Sequence, residues 1–112
     1  MGQTIVKCCV ELLQRDDVGL PATVALGDAI AADAKFNLWF LQLKESESEA
    51  DERLLSALDL VEDLTLLCQE AIRKFKESSD NKDWKMVDIR NQDLEKVLTE
   101  ITVKLTEAML VR

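Results

Sequence analysis

The chain has 112 residues, 47% hydrophobic and 32% charged, with a formal net charge of −8, three glycines and one proline. This length suits a single domain that buries roughly two-thirds of its unfolded surface, and the abundance of apolar side chains argues against disorder. The complete lack of histidine excludes Ser-His-Asp and Cys-His catalysis, histidine phosphotransfer and most zinc or haem ligation.

The acidic balance, without any cluster of Lys and Arg, disfavours nucleic acid and anionic membrane surfaces as partners and mildly favours a basic one. The longest apolar run falls far short of the ~18 residues of a spanning helix, and no secretory leader pattern is present. Three cysteines, two of them adjacent, do not form a disulfide framework. A reducing compartment, cytoplasm or nucleus, is therefore expected.

Few turn-forming residues and a Leu-, Glu- and Ala-rich composition predict helices. The first spans 3–15, with Thr4 as N-cap and Ile5, Cys8, Cys9, Leu12 and Leu13 on one face. Gly19 then acts as a stop, and Pro21 belongs to the first turn of the next helix.

Helix two, 21–45, carries two apolar stripes. Leu20, Val24, Gly27, Ala31, Ala34, Leu38 and Leu41 recur at alternating steps of four and three. Ala22, Ala25, Ala29, Ala32, Phe36, Trp39 and Leu43, with Phe40 beside them, form a second stripe on nearly the opposite side. A helix apolar on two sides is either enclosed by its neighbours or shared with another chain.

The polar stretch Glu45–Glu49 is the clearest linker, and Ser48 with Asp51 resembles a capping box. Helix three, 49–77, has Leu54, Leu58, Val61, Cys68, Ile72 and Phe75 in one stripe, which Leu55, Leu60, Leu64, Leu67 and Ala71 widen. After the connection Ser78–Asp83, helix four spans 82–110 with Trp84, Val87, Leu94, Leu98, Ile101, Leu105 and Ala108 on one face. Asn91 shares that face, as a buried register-setter or at its solvated edge, while Met86, Ile89 and Val103 lie off it. The expected fold is an all-α, antiparallel (up-down-up-down) four-helix bundle. It forms one domain over 1–112, and its apolar ending would suit the N-terminal domain of a longer protein.

No catalytic constellation emerges. The scattered glycines build no phosphate loop, and Asp80, Asn81 and Asp83 lack the glycine and closing Glu of a calcium loop. No enzyme activity, cofactor, metal or small-molecule substrate is expected. Cys68 is a core residue. Cys8 and Cys9 read as small buried hydrophobes, or, with Gly2, as lipidation sites, although Val6 stands where N-myristoylation wants Ser or Thr.

Burying a large apolar side chain contributes about 1.5–3 kcal/mol, so Phe36, Trp39, Phe40 and Leu43 together represent roughly 6–12 kcal/mol. That matches the whole net stability of a domain, about 5–15 kcal/mol. These four side chains will not all be left in solvent, and the short first helix can reach only part of helix two. Two arrangements remain: the other three helices enclose them, or they join Met86 and Ile89 in a partner-binding surface. The functional expectation is a protein–protein interaction module (adaptor, chaperone-like binder or dimerisation domain) that binds a partner helix or forms a homodimer through an apolar stripe of helix two. The alternative is a membrane-associated bundle acting through acylation at Gly2, Cys8 or Cys9, or through insertion of an apolar face.

Overall fold

The computed structural model describes residues 3–45 and 51–110, apart from the side chains at positions 3, 4, 8 and 51. Four helices follow one another: α1 Gln3–Leu13, α2 Leu20–Glu45, α3 Asp51–Asp80 and α4 Trp84–Leu110. They pack as an all-α bundle with dimensions of 52 × 19 × 19 Å.

Helix boundaries follow local hydrogen bonding. α1 begins at Gln3, so Thr4 lies inside it and not ahead of it. It ends two residues earlier than expected, where Gln14 N and Arg15 N donate to Glu11 O and Leu12 O at 3.3 and 3.1 Å, the tight bonds of a closing turn. Gly19 lacks the left-handed backbone of a helix stop. Its carbonyl instead accepts from Thr23 N at 2.9 Å and Thr23 Oγ1 at 3.0 Å, which opens α2. α3 runs on through Ser78–Asp80, because Ser78 Oγ bonds back to Lys74 O at 3.0 Å and so remains compatible with helix. The Ser48 cap and most of the Glu45–Glu49 linker fall outside the described residues.

The turn from α3 to α4 spends almost no chain. Lys82 adopts a left-handed φ of 56°. Asp83 N reaches Ser78 O at 3.1 Å and Lys82 N reaches Ser79 O at 3.0 Å, the paired bonds of a Schellman closure. Asp83 then caps α4 by accepting from Met86 N at 3.3 Å on Oδ1. One residue thus finishes one helix and starts the next.

Contacts across the bundle give its topology. Gly19 meets Asn91, whereas Trp39 and Ala108 line one depression, so α2 and α4 run in the same direction. Ala57 lines that depression too, while Ser79 reaches Asp17 at the other end, so α3 runs against both. Glu11 pairs with Lys76 at 3.3 Å and Arg15 lies over the Phe75 ring, which places α1 beside the C-terminal half of α3. Direction alternates along the chain as expected. The most extensive packing, however, is α2 on α4 and α3 on α4, and the sequence neighbours α2 and α3 touch only sparsely. α1 fills the corner between α2 and α3 at one end.

The α1–α2 loop is tied to both long helices beside it. Arg15 grips the Asp17 carboxylate with Nε and Nη2, each at 3.0 Å, and Ser79 Oγ also bonds to that carboxylate. Arg15, and then Ser79, hold the Asp17 carboxyl below the ordinary range. Asn91 donates to Asp17 O at 3.1 Å and to Val87 O at 3.1 Å, and accepts from Gly19 N at 2.7 Å. Asn91 is therefore neither a register-setter in a dry core nor a solvated edge residue. It anchors a loop.

A left-handed non-glycine residue costs about 1–2 kcal/mol. Lys82→Gly is expected to stabilise the protein by roughly 1 kcal/mol, read as a higher urea midpoint with an unchanged slope. An unchanged or lower midpoint would show that the Lys82 backbone carries no such strain.

Candidate interaction surface

α2 is 26 residues long and α1 only 11. At 1.5 Å per residue α1 accompanies α2 for about 16 Å, from Leu20 to roughly residue 31, and then stops. The inward stripe of α2 changes size at that level. Ala22, Ala25, Ala29 and Ala32 are buried where α1 is present, and Phe36, Phe40 and Leu43 are buried where it has ended. Phe36 packs on Trp39 with ring centroids 5.3 Å apart and on Phe40 at 6.4 Å, and Lys44 Nζ lies 5.8 Å from the Phe40 ring centroid. The change from small to bulky buried side chains along α2 thus falls near the level where α1 ends.

This corrects the expected partner-binding surface. Phe36, Phe40 and Leu43 belong to the chain's own core. Trp39 is half-covered and lines an open depression of about 420 Å³ with Glu52, Arg53, Ser56, Ala57, Leu60 and Ala108. Met86 is half-buried and Ile89 is exposed. Both lie near the Asn91–Gly19 contact, roughly 30 Å along the axis from Phe36, so the six residues do not form one surface. Gly2 and the Cys8 side chain lie outside the described residues. Cys9 is fully buried as a free thiol and shares a hydrogen bond with the Cys68 thiol, which this contact holds below its usual range. An acyl chain cannot be attached at Cys9 while the protein stays folded.

The uncovered stripe is the other one. Leu20, Val24, Leu38 and Leu41 are between 56% and 76% exposed. Gly27, Ala31 and Ala34, which continue the row, are exposed as well. A Cβ built on Gly27 would meet nothing within 4 Å. The stripe points away from the bundle over more than twenty residues, with Asp28, Lys35 and Gln42 exposed along one flank. Among the described residues, neither Asp28 nor Lys35 takes part in an ion pair.

That polar row separates the outward stripe from the inward one, whose other flank holds Leu26, Ile30 and Phe40, with one charged residue among them, Asp33. Sequence reasoning passed over Asp33, which is fully buried. Asn37 Nδ2 donates a long 3.5 Å hydrogen bond to its Oδ2, and Oδ1 has no hydrogen-bond partner among the described residues. Burial pushes its carboxyl up to about 6. Among the described residues no cluster of acidic or thiol side chains is placed to hold a metal ion, and no helix is long and apolar enough to cross a membrane. Comparison with protein-family models, curated proteins and solved structures gives no match.

A carboxyl titrating near 6 in the fold and near 3.8 unfolded destabilises the protein by on the order of 3 kcal/mol at neutral pH. The penalty is absent when both states are protonated, grows as pH rises from about 4 to 6, and is constant above that. Asp33→Asn is expected to stabilise by roughly 1–3 kcal/mol at pH 8, with the gain shrinking toward zero by pH 4. Urea melts of both proteins at the two pH values check it, and an equal gain at both would exclude Asp33 as the titrating group.

Proposed function

We propose that this protein is an interaction module, an adaptor or dimerisation domain, that docks a helix along the outward stripe of α2. The observation that carries this is the row Leu20, Val24, Gly27, Ala31, Ala34, Leu38 and Leu41, solvent-facing on the side opposite the core. Isolated exposed leucines are ordinary on a soluble protein. The exposed leucines of α3 are of that kind, since Leu55, Leu58 and Leu66 are interspersed with Asp59, Glu62 and Arg73. The α2 row is unbroken through three heptads, the spacing that a second helix packs against. Covering the exposed parts of its four large residues represents on the order of 3–6 kcal/mol.

Steric character supports a helix as the occupant. Small residues in the middle of the row let a backbone approach closely, and the larger ones at either end give it purchase. Insertion of the same face into an anionic membrane draws less support, because the net charge is −8 and the stripe is bordered by acid as well as base.

Leu38→Glu should leave thermal stability within a few degrees of wild type and abolish association, measured by sedimentation for self-association or by retention of a binding helix. Phe36→Ala, by contrast, should destabilise the fold by about 3–5 kcal/mol. If Leu38→Glu unfolded the chain, or bound as wild type does, the outward stripe would not be the docking face.

A further inference from the structure

The occupant of the α2 stripe is open to inference from the stripe's own order. Its steps of four and three place Leu20, Gly27, Ala34 and Leu41 at one core position of a heptad and Val24, Ala31 and Leu38 at the other. Two copies of α2 laid antiparallel about a two-fold axis between Ala31 and Ala34 bring unlike positions together in each layer. Gly27 then faces the partner's Leu38, Val24 faces the partner's Leu41, and Ala31 faces the partner's Ala34. The largest step in side-chain size is matched: a leucine seats over the one position without a side chain, where the space above the backbone is open.

Charge selects the same arrangement. In an antiparallel pair the residues following the Gly27-type positions meet across the seam, so Asp28 lies beside the partner's Lys35 and Lys35 beside the partner's Asp28. Both are exposed, and among the described residues neither has an ion pair within the chain. In a parallel pair Asp28 would border the partner's Thr23, Lys35 would border the partner's Ile30, and Gly27 would face another glycine. The antiparallel pair also opposes the two helix dipoles, and it closes with two-fold symmetry.

We infer that the face binds a second copy of this chain, α2 against α2 and antiparallel, with Asp28 and Lys35 fixing direction and register. This rests on the docking role proposed for α2 and adds the identity and geometry of the occupant.

Charge reversal tests it with the full chain. In sedimentation equilibrium, Asp28→Lys and Lys35→Asp should each weaken self-association roughly tenfold, since two attractive rim contacts become repulsive. An equimolar mixture of the two variants should recover the wild-type association constant, and so should the double reversal D28K/K35D within one chain. Circular dichroism of each variant should match the wild type, so that a loss of association is not a loss of fold. If Leu38→Glu dissociates the dimer but the reversals neither weaken nor rescue it, the antiparallel register is overturned and the docking role of the face stands. If wild type stays monomeric at hundreds of micromolar, the homodimer is overturned. If it dimerises indifferently to Leu38→Glu, both this inference and the docking role fail.

Discussion

The architecture depends on a mismatch of length. Three helices of 26 to 30 residues share the bundle with one of 11, so one half of the molecule has four helices in cross-section and the other three. A close-packed interior does not tolerate the resulting gap, since unfilled volume forfeits dispersion contacts. α2 compensates along a single stripe, with alanines in the four-helix section and Phe36, Phe40 and Leu43 in the three-helix section. The most extensive contact in the fold is α2 on α4, not the sequence neighbours α2 and α3.

Much of this was legible from sequence because helix periodicity and breakers are local signals. The core positions Val87, Leu94, Leu98, Ile101 and Leu105 follow from spacing, and the four helices with alternating directions follow from breakers and short connections. Which side of α2 faces in did not, because both stripes share one spacing and differ only in their flanks. The magnitude assigned to Phe36, Trp39, Phe40 and Leu43 required that they not all be left in solvent, and three of the four are buried while Trp39 is half-covered. It could not say which neighbours would cover them. Trp84, placed by its period on the inner face of α4, lies at the very start of that helix and is 60% exposed. Periodicity carries no information about where neighbouring helices end.

Polar residues inside the bundle divide into two kinds. Asn91 is fully used: its amide joins two loop groups to α4. Asp33 is a cost, a buried carboxyl with one long hydrogen bond. Neither role is visible in a helical wheel, where Asn91 lies on an apolar face for good reason and Asp33 seems to interrupt one. Partner groups contributed by distant segments decide between the two outcomes.

The change of size along α2 also sets what each part of that helix tolerates as the sequence drifts. Enlarging Ala25 or Ala29 would push helices apart, and shrinking Phe36 would open a void, so opposite constraints act on the two halves of one stripe. The outward row obeys neither. Packing within the bundle leaves Leu20, Val24, Leu38 and Leu41 free to become any soluble, helix-forming residue.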